Sequence, residues 1–212
     1  MGPAPQAPLQ LARVELYWLP LGAGDTSRCV RWNGRIFEKI VAHRQHRQPR
    51  DLYHSALQVY LGSDRYVIEM APEWGNKRRD RGVVSRGAVG LPLLGHFRFF
   101  RYEVRRWHDG IIHDAATAVA SPQCISTGTA RAEQLLDLVA AFPAATWGRD
   151  EFCAGEMWNS NSLIAWLLAR SGHRTGGIRL PANGRAPGWS AGMVVAARQV
   201  STPRSLTTAV GP

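Results

Sequence analysis

The chain is poor in several things at once. It has only three cysteines, Cys29, Cys124 and Cys153, odd in number and far apart. That argues against a disulfide framework and against a zinc ribbon, and a reducing cytoplasm is the expected setting. No run approaches the roughly 18 to 20 consecutive apolar residues that a bilayer span needs, and the start lacks the basic-then-apolar order of a secretory leader. Acidic residues are scarce, 16 against 26 Lys and Arg, leaving a formal charge of +10 and a pI near 10.5. Such a surplus draws phosphates and anionic surfaces at low salt, but it speaks to association rather than to a particular function. There is no internal repeat.

What is present suits one folded unit. With 212 residues and 45% hydrophobic content, the chain can bury a real core as a single domain. The expected boundaries are a flexible Pro-rich lead-in over residues 1–12, one domain over 13–200, and a flexible tail over 201–212.

Residues 13–21 alternate polar and apolar before a Gly-rich turn, the period of a half-buried strand. Residues 35–41 follow with mixed character. Two stronger strands, 53–61 and 66–70, flank Gly62-Ser63-Asp64-Arg65 and should form an antiparallel hairpin. A charged loop at 73–82 comes next, then strands at 83–89 and 97–107. After Pro122 the pattern turns helical: residues 129–142, with Thr129 as cap and Pro143 as stop, and about 159–169, closing at Ser171-Gly172. A loop-rich tail with one last short strand at 193–197 completes the order. Strands first and helices after predict an α+β fold, an antiparallel sheet packed against a few helices.

The chemistry-bearing candidates lie at Trp158-Asn159-Ser160-Asn161-Ser162, where a polar cluster runs into an apolar helix. Unpaired amides at such a helix start favour negative charge, so a nucleophile is well served there. Ser160 takes that position. His54 on the first hairpin strand is the candidate base, and Glu69 on the second is the candidate orienter of its ring. The amide of Ser160, supported by Asn159 and Asn161, would face an oxyanion. The bland reading is equally concrete: Asn and Ser before an apolar run are ordinary capping residues, and a lone His or Glu is usually structural. Cys153 is an alternative thiol, with a buried inert cysteine as its plainer reading. His43 and His46 have ligand-like spacing, but the arginines beside them oppose a cation, and no metal or cofactor is expected. His108 and His113 read as solvated histidines around a turn. The basic stretches 77–81 and 98–106 could meet a phosphate backbone, yet the first has no interleaved aromatic to stack a base.

These residues carry a resemblance. Asp51-Leu52-Tyr53-His54-Ser55-Ala56-Leu57, Glu69-Met70-Ala71-Pro72, Phe100-Arg101-Tyr102-Glu103-Val104-Arg105-Arg106-Trp107, the stretch from Met157 to Trp166, and Arg185-Ala186-Pro187-Gly188-Trp189 together resemble the circularly permuted branch of the NlpC/P60 papain-like superfamily, related to lecithin:retinol acyltransferase. Within it the chain looks most like a bacterial family with Trp-Asn-Ser-Asn-Ser in place of Asn-Cys-Asn. The resemblance implies a papain-like domain in which His54 matches the base, Glu69 the orienter, and Ser160 falls on the cysteine. It implies a hydrolase or acyltransferase acting on an amide or ester of a small molecule or peptide. The alternative is a catalytically degenerate domain that binds a ligand or partner without turnover. Nucleic acid is the lesser partner class.

Overall fold

The computed structural model describes residues 12–22, 29–73 and 80–201. The expected lead-in and tail, except Ala12 and Ser201, and residues 74–79 of the charged loop lie outside the described residues. The elements are β1 (Arg13–Pro20), α1 (Cys29–Arg44), β2 (Asp51–Leu61), β3 (Asp64–Pro72), β4 (Val83–Ala88), β5 (Arg101–His108), β6 (Gln123–Ser126), α2 (Thr129–Leu138), α3 (Ser160–Arg170), β7 (Gly184–Arg185) and α4 (Trp189–Ser201).

Six strands form one antiparallel sheet in the order β4-β5-β3-β2-β1-β6, and the two-residue β7 adds to β2 in parallel. The expected hairpin is β2–β3, paired Leu61 with Asp64 through Leu57 with Ile68. The fold is therefore α+β, as the order of patterns predicts.

Strand alternation divides the sheet into two unlike faces. One face presents Val14, Leu16 and Trp18 of β1, Tyr53, Leu57 and Val59 of β2, Ile68 and Met70 of β3, and Tyr102 and Val104 of β5. These pack with Leu135, Leu163, Ile164 and Val195 from α2, α3 and α4 into the main core. Each large aliphatic side chain buried there contributes about 1.5–3 kcal/mol. The buried tryptophans also satisfy their ring N–H groups: Trp18 donates to the Arg179 carbonyl at 3.0 Å and Trp158 to that of Pro143 at 3.0 Å. Among the described residues, the reverse face carries a smaller apolar cluster of Leu19, Ala56, Val67 and Ile112.

Helix α3 is buried from Ser160 to Leu168, the signature of a helix enclosed on all sides. Its neighbour α4 approaches so closely that a Cβ on Gly192 would strike the Ser162 carbonyl. Residues 193–197, expected as a strand, lie inside α4. Burial of Ala191, Gly192, Val195 and Ala196 follows a helical repeat, and a short apolar run reads the same for either element. Three further differences concern local pattern. Residues 35–41 belong to helix α1, Phe97 leads into a 3-10 turn at Arg98–Phe100 before β5 begins at Arg101, and the helix from Thr129 is capped by Gly128, with a final 3-10 turn at Val139–Ala141. Among the described residues, no helix is long and apolar enough to cross a membrane.

Candidate functional site

The start of α3 is held by side chains that hydrogen-bond backbone and one another. Asn159 caps the helix: its Oδ1 accepts from the amides of Asn161 at 2.9 Å and Ser162 at 3.3 Å. In return the Asn159 amide donates to Ser162 Oγ at 3.1 Å, completing a reciprocal capping box. The Ser162 hydroxyl has one proton, and its shorter contact gives that proton to the Gly188 carbonyl at 2.8 Å. Gly188 has φ of +87°, and a Cβ there would fall against Asn159 Oδ1, so only glycine fits the turn leading to α4.

Asn161 joins this cap to the sheet. Its Nδ2 donates to the carbonyls of Tyr53 and Pro187, both at 2.9 Å, while its Oδ1 accepts from the Ser55 hydroxyl at 2.8 Å. Asn159 Nδ2 donates to the same Pro187 carbonyl at 2.8 Å. Both Asn161 amide protons and its oxygen are thus engaged by protein, and no donor of that side chain is left for an incoming oxyanion. The Asn159 amide, expected as oxyanion support, is likewise occupied by Ser162. Ser160 is buried at the first helical position, and among the described residues its hydroxyl has no hydrogen-bond partner.

The three expected catalytic residues are not brought together. Ser55 and Tyr53 lie against α3, so strand alternation sends His54 to the reverse face, where Leu19 is its cross-strand neighbour. The sheet stands between His54 and Ser160. Half-buried there, His54 has its pKa lowered to about 4 by desolvation, with the negative charge of Asp114 pulling weakly the other way. Its ring is therefore neutral at pH 7.

Glu69 shares the reverse face, but its carboxylate accepts from Arg105 Nη1 at 2.7 Å. Arg105 also bonds Glu103, which Arg81 grips at 2.8 and 3.1 Å. Burial works to raise the pKa of Glu103, yet the hydrogen bonds from Arg81 and Arg105 prevail and hold it below the usual carboxylate range. Glu69 is part of this charged network rather than the orienter of an imidazole.

The remaining candidates are scattered. His43 ends α1 and His46 sits in the exposed turn after it with φ of +51°. His108 lies near Asp64 and Asp109, and His113 stacks on Trp107. Cys153, expected as a buried cysteine or a spare nucleophile, is an exposed thiol in a turn ahead of α3.

The sequence reading overlooked His173. It is buried just past α3 with its pKa lowered to about 4, chiefly by desolvation and further by the charge of Arg131. Ser171 gives its hydroxyl proton to the Leu167 carbonyl at 2.6 Å, so His173 Nδ1–H donates to Ser171 Oγ at 2.8 Å. Nε2 then accepts from the Ser126 hydroxyl at 2.9 Å. This chain fastens β6 to the end of α3. Its sequence signal is slight: a single histidine two residues beyond a helix-ending serine.

The fold and site define an α+β domain with a capped, sheet-anchored helix as its polar centre. Comparison with protein-family models, curated proteins and solved structures finds no match.

Proposed function

We propose that this chain is a circularly permuted papain-like domain that binds a ligand or partner without turning it over at the α3 start. The permuted reading is supported by chain order, with the His54 strand preceding the helix that packs on it, and by the contact of that helix start with β2. The observation that carries the binding reading is the Ser55–Asn161 hydrogen bond with His54 on the other face. The position facing the helix start is filled by a serine and an asparagine whose polar atoms already serve the fold.

Turnover by Ser160 with His54 as base would need an imidazole on the same side of the sheet as the hydroxyl, because proton transfer requires hydrogen-bond reach. Ser160→Cys tests this directly. A thiol needs less help from a base than a hydroxyl does, so an intact machinery would gain hydrolysis of an activated ester or thioester. The expected result is no gain over wild type. Hydrolysis that appears in Ser160→Cys and disappears in Ser160→Cys/His54→Ala would overturn the binding reading.

A further inference from the structure

The segment joining β4 to β5 inverts the usual distribution of side chains. It runs Leu91-Pro92-Leu93-Leu94-Gly95-His96-Phe97-Arg98-Phe99-Phe100 as two 3-10 turns, neither of which buries a residue. Leu93 is 82% exposed, Phe97 63%, Leu91 52% and Phe100 41%. A few residues further on, in β5, Glu103 and Arg105 are 0% and 3% exposed. A loop free to choose its surface residues would be polar. Here the apolar residues face solvent on a short protrusion whose own backbone hydrogen bonds, such as Leu94 to Leu91 at 3.0 Å and Phe97 to Leu94 at 2.9 Å, hold it in shape.

Cations ring the base of this protrusion. Arg86, Arg98 and Arg101 all lie against one carboxylate, Glu73, at 4.0, 3.4 and 2.6 Å. Arg86 also reaches Glu103 at 3.5 Å, a carboxylate already shared by Arg81 and Arg105, so guanidinium groups outnumber acids here and leave positive charge at the rim, in a chain of net charge +10. Leucine and phenylalanine at the tip with arginine behind them match the layering of a bilayer interface, acyl chains below anionic headgroups. The exposed leucines favour this over nucleic acid, where a side chain gains by stacking and an aliphatic cannot stack.

We propose that residues 91–101 dock the domain onto an anionic lipid surface, with Leu93 and Phe97 entering the acyl boundary and Arg86 and Arg98 meeting headgroups. This holds whether or not the α3 start turns anything over.

The test is flotation of the full chain with vesicles of phosphatidylcholine alone and of phosphatidylcholine with phosphatidylserine, at low and high salt. Leu93→Ser/Phe97→Ser and Arg98→Glu are compared with wild type, and thermal melts confirm folding. Both variants change exposed side chains, so both should fold. Wild type is expected on the anionic vesicles, less so at high salt. The Ser pair is expected to lose at least tenfold in partitioning, since both the apolar and the electrostatic contribution are needed for stable surface binding. Arg98→Glu is expected to lose several-fold, and only at low salt. Failure of wild type to bind anionic vesicles overturns the proposal, as does binding that the Ser pair leaves unchanged. Dimerisation or nucleic-acid retention abolished by the Ser pair, without vesicle binding, would also overturn it in favour of that other occupant.

Discussion

The two faces of the sheet solve the burial of polar groups in opposite ways. On the helix face, Asn159, Asn161, Ser162 and Ser55 are neutral and their hydrogen bonds close on themselves and on backbone. On the reverse face, Glu103, Arg105, Arg81 and Glu69 are charged and held by ion pairs. Neutral groups are cheap to bury once satisfied, whereas buried ions rest on every partner staying in place. The helix face is where the chain fixes its fold, and the reverse face is the more vulnerable to a single lost side chain.

The largest effect should come from the charged side. Glu103→Gln leaves Arg81 and Arg105 without their central carboxylate, and a broken buried ion pair typically costs about 3–5 kcal/mol. Urea unfolding should show a matching fall in stability. Glu69→Gln, at the less deeply buried end of the same network, should cost less, about 1–2 kcal/mol. Equal losses in the two variants would contradict the gradient of burial along the network.

Next comes the helix side. Asn161→Ala removes three hydrogen bonds together and strands the Ser55 hydroxyl with no acceptor, a loss of about 2–4 kcal/mol by the cost of unsatisfied buried groups. Gly188→Ala should fall in the same range through its positive φ and its encounter with Asn159. If Asn161→Ala costs less than Glu69→Gln, the helix start is not the structural centre described above.

Histidine gives a comparison in which pH is the variable. His54 on the reverse face and His173 on the helix face both titrate near 4 in the folded chain, against about 6.5 unfolded. Depressed folded values mean that the unfolded chain takes up protons first as pH falls. Stability from both groups is therefore complete above about pH 6.5 and is lost as pH drops through 6 and 5 toward 4, at up to about 1.4 kcal/mol per unit for each. Unfolding midpoints at pH 7 and pH 5 should differ, and His54→Gln should flatten the difference. His173→Gln should flatten it too but lower stability at both pH values, since only His173 has two side-chain partners to lose.

Much of this division was legible in the sequence. The hairpin, the cap at Asn159 and the α+β order follow from turn residues and apolar period. So, in principle, does the placement of His54: Tyr53, Leu57 and Val59 mark the odd positions of β2 as the core face, and Ser55 shares their parity while His54 does not. Reading the motif as a set of roles hid what strand parity alone decides. Other features have no local signal. The ion network of Glu69, Glu103, Arg105 and Arg81 joins three parts of the chain through sheet order. The helical state of residues 193–197 depends on α3 lying beneath them, and β6 pairs with β1 over about a hundred residues of separation.

Ser160 and its neighbour Asn161 provide the finest discrimination. A residue that caps or anchors the helix must lose stability when truncated, and Asn161 should. Ser160 is buried, yet its hydroxyl has no partner among the described residues, so Ser160→Ala gives up no hydrogen bond within the protein. The expected change is within about 0.5 kcal/mol, and of stabilising sign, because the methyl keeps most of the packing and alanine has the better helix propensity. A loss of about 1 kcal/mol or more on urea unfolding would mean that the hydroxyl does hold a fold contact. A neutral result leaves Asn161 as the structural member of the pair and Ser160 as a position free for whatever the domain binds.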